Sequence, residues 1–231
     1  MPEQRPDEKM NYTQITGING EAREALSNCP LDKNFVKDFQ EGIKRIAEFG
    51  PDLIMIDDDF RLNIRIKVYF ACFCPLHLKE YYKRIGEEIP REKLEELILT
   101  GGENKYRTEL LKLFRDTMLD FAKALRETVD EVNPNIRFGV CTHNTWDMMG
   151  TDPLEISKAL AGNTKPFARI SGAPFRNLNV IPIVEFARQQ FAWGKDSGVE
   201  LFAEGDTYPR PRMNVPSKPL ELFELLLYAD G

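Results

Sequence analysis

The stretch Ile54-Met55-Ile56-Asp57-Asp58-Asp59-Phe60-Arg61 is an apolar run that ends abruptly in three carboxylates, and Leu201-Phe202-Ala203-Glu204-Gly205-Asp206 repeats the pattern near the other end of the chain. A continuous hydrophobic run of this kind reads as a strand buried in a parallel sheet. Ligands bind where such strands end, and barrel enzymes carry their catalytic groups there. Both stretches therefore place acids at the mouth of an α/β sheet or barrel.

Outward from these anchors the chain alternates between strand-like and helix-like segments. Residues 12–17 form a β-prone run stopped by Gly17. Asp32 is an N-cap, and Phe35, Phe39, Ile43, Ile46 and Ala47 recur at helical spacing until Gly50-Pro51 ends the helix. An insertion follows the acidic triplet, with short helices over 78–85 and 91–99. The longest helix starts near Asn104 and stops at Asn133-Pro134. Strands over 136–141, 167–170 and 199–203 then alternate with helices over 153–160, 181–193 and 219–228. That order predicts about five parallel strands joined by right-handed crossovers. No Gly-rich phosphate turn follows any strand, and polar groups crowd every strand end. The expected fold is α/β, part of a (β/α)8 TIM barrel.

The chain has 231 residues, 42% of them hydrophobic, which fits a single domain over 1–231. A net charge of −6 argues against nucleic-acid or anionic-membrane partners. No apolar run approaches the roughly 20 residues of a membrane span. The polar start carries no secretory pattern, and the four cysteines are unevenly spaced, so a reducing, cytoplasmic setting is expected. Both ends of the sequence are abrupt, which predicts a truncated piece of a longer protein.

Asp57, Asp58 and Asp59 cannot all face one pocket, because successive strand side chains alternate. Adjacent carboxylates repel, so at least one is pushed toward the protonated form that a general acid needs. Glu204 is the first polar residue after its strand. Asp206 and Tyr208 follow, and the tyrosine offers a ring for stacking. His143, Asn144 and Trp146 sit after the strand over 136–141, where the indole could stack on a sugar face and the others bind hydroxyls. Arg61 is placed to hold hydroxyls or carboxylates. Cys72-x-Cys74-x2-His77 has ligand types and spacing that suit zinc, with Cys29 a fourth ligand through space. No Gly-x-Ser-x-Gly elbow supports acyl transfer.

In order along the chain, these pieces resemble the clan of glycosidases that carries its two acids on barrel strands four and seven, and within it the family 42 β-galactosidases. Cys29-Pro30 precedes a helix. Asp57-Asp58-Asp59-Phe60 stands where the family has Asp-Asn-Glu-Tyr. Cys72-x-Cys74-x2-His77 and a helix bearing Tyr81-Tyr82 stand where it has a zinc-binding cysteine cluster. Phe202-Ala203-Glu204 and residues 214–231 are similar to its nucleophile segment and following helix. The resemblance implies Asp59 as acid/base, Glu204 as nucleophile, and zinc on Cys29, Cys72, Cys74 and His77. It also implies that barrel strands one, two and eight are missing. Two departures mark a divergent branch: Asp58-Asp59 replaces Asn-Glu, and His77 replaces a cysteine ligand.

The expected activity is glycoside hydrolysis by a pair of carboxylates, retaining in stereochemistry, with Asp58 as the reserve acid. No cofactor is required for the reaction and zinc is structural. The expected partner is a carbohydrate, and a homo-oligomer is left open. Two alternatives stay open as well: a non-catalytic carbohydrate-binding or accessory barrel, and a metal-dependent hydrolase using Asp57, Asp58 and Asp59.

Overall fold

Four strands, β1 (Leu53–Ile56), β2 (Arg137–Cys141), β3 (Phe167–Ile170) and β4 (Glu200–Ala203), pair in parallel in the order β1-β2-β3-β4. Each crossover therefore steps one strand in the same direction. A doubly wound sheet would reverse its order at a switch point. The sheet is singly wound, as in an arc of a (β/α)8 barrel, and helices alternate with its strands. This is a computed structural model, and it describes residues 12–22, 27–57, 60–62, 70–142, 152–170, 181–204 and 217–229.

Helix α1 (Lys33–Glu48) starts where Asp32 accepts from the N–H groups of Asn34 and Phe35. Between β1 and β2 lie three helices, α2 (Pro75–Ile85), α3 (Arg91–Leu99) and α4 (Lys105–Val132). Helix α5 (Pro153–Ala161) joins β2 to β3, α6 (Ile181–Gly194) joins β3 to β4, and α7 (Ser217–Ala229) follows β4. The central helix is α4. Asn104 caps it, and Leu110, Phe114, Met118, Phe121, Leu125 and Val129 form a buried stripe at helical spacing. Inside that stripe Arg126 is buried too. Its guanidinium donates to Ile136 O at 2.8 Å and pairs with Asp130.

One expectation needs correction. The run over 12–17 is not a fifth strand of the sheet. It makes isolated antiparallel bridges, Gln14 with Asn28, Thr16 with Ala22, and Gly17 with Ala71. Its backbone groups are taken locally: Cys29 N–H donates to Thr13 O at 2.7 Å and Phe73 N–H to Thr16 O at 2.6 Å. Arg91 then fastens the two loops, donating to Gly17 O, Ile18 O and Phe73 O. On α1, Ile46 is 47% exposed, while Ile43 and Ala47 enter the core.

Strand alternation and register divide the sheet into two faces. Ile54, Ile56, Phe138 and Val140 lie on the face packed into the main core with α1, α4 and α5. Met55, Asp57, Gly139, Cys141, Phe167, Arg169, Phe202 and Glu204 belong to the other face. There the Phe167 ring lies over Gly139 and meets Phe202 edge-on at 5.8 Å. Beneath it, toward the strand starts, Arg137 and Lys165 pair with Glu200. Above it, at the strand ends, are Arg169 and Glu204.

Candidate active-site rim and metal-ligand cluster

At the C-terminal rim of the sheet, Arg169 joins the two acidic stretches. It is the third residue of β3, and its register partners are Cys141 on β2 and Phe202 on β4. Its guanidinium donates to Glu204 Oε1 and lies 4.0 Å from Asp57 Oδ1. Glu204 is 7% exposed, whereas the Asp57 side chain is 75% exposed. A guanidinium pairs with a charged carboxylate and fixes its orientation by its planar fork. Glu204 is thus held in a fixed orientation and largely out of water at the rim. Below it, Thr142 N–H donates to Arg169 O at 2.8 Å, and the Thr142 hydroxyl donates to Gln190 Oε1 at 2.9 Å. Thr142 and Gln190 are both fully buried, so α6 is tied to the end of β2 beneath the rim.

The acidic stretch is anchored at its far side by Phe60. That ring stacks on Phe121 of α4, with centroids 5.1 Å apart, and Phe60 N–H donates to Asp57 O at 3.1 Å. Arg61 follows, half-buried, and then fully buried Leu62. Of the other rim residues expected from sequence, Asp58, Asp59, His143, Asn144, Trp146, Asp206 and Tyr208 lie outside the described residues.

The second site lies in the insertion. Cys29, Cys72, Cys74 and His77 are all buried, and their ligand atoms lie within 4.8 Å of one another. Cys29 arrives on the loop that Arg91 fastens, Cys72 and Cys74 on the segment entering α2, and His77 in the first turn of α2. Cys29 Sγ is 3.1 Å from His77 Nδ1, Cys74 Sγ is 3.6 Å from it, and the two sulfurs are 3.5 Å apart. Tetrahedral zinc with Zn–S near 2.3 Å and Zn–N near 2.0 Å needs ligand separations of roughly 3.5–3.8 Å. Soft thiolates and an imidazole at this spacing suit that ion, and Cys29, Cys72 and Cys74 are not tied up in disulfides.

The surroundings favour a thiolate at Cys74. Cys74 is the N-cap of α2, and its sulfur accepts from His77 N–H at 3.5 Å, while Leu31 N–H points at Cys29 Sγ at 3.4 Å. Hydrogen bonds from the Cys29 and Cys72 thiols hold Cys74 well below its usual range. Hydrogen bonding with Cys72 and Cys74 drives the Cys29 thiol upward, and burial pushes Cys72 up to about 12. A divalent cation held between these groups would draw the remaining thiol protons off. Tyr81 and Tyr82 on α2 serve the scaffold: their hydroxyls donate to Tyr106 O and Ile89 O.

Sequence reasoning placed the four thiol and imidazole ligands together but passed over Arg169 and Gln190. The available signal was an arginine inside a four-residue strand that is otherwise apolar. Gln190 carried none beyond its place on a helix that packs on the core.

No family model and no curated protein matches the chain. Among solved structures it is similar to a β-galactosidase from Bacillus circulans sp. alkalophilus, at 12% identity and a TM-score of 0.49, over 78% of this chain and 30% of that one. It is also similar to the catalytic domain of a β-amylase from Paenibacillus polymyxa, at 11% identity and a TM-score of 0.42, over 97% of this chain and 60% of that one. The chain thus spans less than two thirds of each.

Proposed function

We propose that this chain carries the catalytic rim of a glycoside hydrolase, with Glu204 as the nucleophile and Asp59 as the acid, Asp58 being the reserve assignment. The observation that supports this is the convergence of the two acidic stretches on one rim, where Arg169 reaches both Glu204 and Asp57. A retaining mechanism needs an ionised carboxylate aimed at the anomeric carbon and a second carboxyl that protonates the departing oxygen. Glu204 has the burial and the fixed orientation for the first role. In the second half-reaction the deprotonated acid draws a proton from water, which displaces Glu204 from the glycosyl-enzyme. Arg61, His143, Asn144, Trp146, Asp206 and Tyr208 are the proposed sugar contacts.

In this reading the metal has no part in the reaction. Cys29, Cys72, Cys74 and His77 hold a structural zinc ion, which supplies cross-linking of three buried segments and no Lewis-acid step. The alternative of a metal on Asp57, Asp58 and Asp59 is opposed by charge: the Arg169 guanidinium already lies 4.0 Å from Asp57 Oδ1.

The test is turnover of a panel of nitrophenyl glycosides by the wild-type chain, Asp59→Asn and Glu204→Gly, with and without azide. Glu204→Gly should lose activity about 10³-fold or more, and azide should restore it by replacing the missing carboxylate as nucleophile. Saccharide binding without turnover in the wild type would favour the accessory-barrel reading instead. Glu204→Gly with undiminished turnover would remove Glu204 from the chemistry.

A further inference from the structure

We propose that Thr117 is a positioning residue of the metal centre: it fixes His77 in the tautomer that carries its proton on Nε2 and offers the Nδ1 lone pair as the ligand. The inference rests on the zinc reading of Cys29, Cys72, Cys74 and His77 given above. It follows from how many hydrogens a hydroxyl has. Threonine has one to donate and otherwise accepts. Thr117 Oγ1 lies 2.8 Å from Leu113 O, and a carbonyl only accepts, so the hydroxyl hydrogen goes there. Toward His77 Nε2, at 3.4 Å, the same oxygen is left to accept, so Nε2 carries the ring hydrogen. In the neutral ring Nδ1 then holds the lone pair. Nδ1 is the atom that lies 3.1 Å from Cys29 Sγ and 3.6 Å from Cys74 Sγ.

The arrangement is rigid at each link. Thr117 is 4% exposed and His77 1%, so both groups are withdrawn from bulk water. A β-branched side chain in a helix has few rotamers, and one of threonine's places its hydroxyl on the carbonyl four residues back. Phe114, one turn earlier on α4, meets the His77 ring edge-on at 5.8 Å and limits its rotation. Ligating histidines usually give their second N–H to a carboxylate, a carbonyl or water. Here a hydroxyl anchored to the backbone of α4 serves that purpose, so the central helix sets which nitrogen faces the sulfurs.

The chain has two histidines, so long-range ¹H–¹⁵N spectra of the full chain labelled with ¹⁵N-histidine contain two ring systems, and His143→Gln assigns that of His77. The Nε2–H tautomer is expected for His77 before and after zinc is added. Thr117→Val keeps the shape and removes the hydroxyl. It should weaken zinc affinity, measured by competition with a chromophoric chelator, about 10–100-fold, and Thr117→Ser should restore it. If the valine variant fails to fold, Thr117→Ala carries the same comparison without added bulk. An Nδ1–H tautomer in the wild type, or unchanged zinc affinity without the hydroxyl, overturns the inference. A wild-type chain that takes up no zinc overturns the zinc reading, and the tautomer of the zinc-free ring still decides the role of Thr117.

Discussion

Gly139 sits mid-strand in β2, where glycine ordinarily weakens a sheet, and its neighbour across the ladder explains it. A Cβ at this position would stand 2.4 Å from Phe167 O and 2.7 Å and 2.8 Å from two atoms of the Phe167 ring. Close carbon–oxygen contacts between strands run near 3.3 Å, so the carbonyl alone demands a displacement of about 0.9 Å. The ring can tilt, but the carbonyl moves only with β3. Overpacking of this kind costs about 1–3 kcal/mol, and a backbone clash belongs at the upper end. The smaller unfolded-state entropy of alanine offsets about 0.4–1 kcal/mol of that. Gly139→Ala should therefore lose about 2–3 kcal/mol, which for a chain of this size lowers Tm by about 5–10 °C. Urea unfolding followed by far-UV circular dichroism measures the loss. Phe167→Ala in the same background separates the two contacts, because it removes the ring clash and leaves the carbonyl. The double variant should recover only part of the loss as coupling. Gly139→Ala within about 0.5 kcal/mol of wild type would show that β2 and β3 are not in this register, and Arg169, two residues beyond Phe167, would lose its placement beside Cys141 and toward Asp57.

Three further outcomes are expected. Burial alone would push the Asp32 carboxyl up, but hydrogen bonds from Thr13, Phe35 and Asn34 hold it below its usual 3.8. A depressed folded-state pKa contributes stability above the unfolded value and loses it as pH falls through the folded one. Asp32→Ala should cost about 1–2 kcal/mol at neutral pH, and denaturant titrations should show that gap narrowing below about pH 4. Arg91→Met removes the guanidinium that binds Gly17 O, Ile18 O and Phe73 O, and should cost about 2–4 kcal/mol while raising amide exchange in residues 15–18 and 72–74. Removing metal from the zinc-loaded protein with a chelator should lower Tm, and Cys74→Ser should abolish the chelator's effect; a chelator-insensitive Tm would argue against the site.

The parts of the fold that were legible in the sequence are those whose signal is local. Apolar runs gave β1 to β4, because parallel strands are buried along their length. Helix boundaries followed from Asp32, Asn104 and Gly162, each capping where its backbone requirement is local. The ligand cluster was legible for a similar reason. Cys72, Cys74 and His77 share one short segment, and one turn of helix after an N-cap brings them together. What depended on distant partners was not legible. Residues 12–17 have strand propensity, yet their hydrogen bonds go to their own loop and to residues near 71, and propensity says nothing about partners. Arg169 meets Glu204 across 35 residues of sequence, and only the register of β3 on β4 brings them to one rim.

Helix α4 explains how the two sites depend on one scaffold. Helix α4 presents Thr117 to His77 and, one turn later, Phe121 to Phe60, whose N–H holds Asp57 O. The metal-ligand cluster and the start of the acidic stretch are thus buttressed by adjacent turns of the same buried helix. The contacts are packed rings and hydrogen bonds rather than long-range charge, so their influence should survive high salt, unlike screened surface pairs. A metal in the cluster would cross-link the loops around α2 without touching Glu204. Its removal should consequently loosen α2 and residues 12–22 and 27–29 first. Any change at the acidic stretch must then pass through α4 and the Phe121–Phe60 stack, a route that Phe121→Leu would weaken without touching a ligand or a carboxylate.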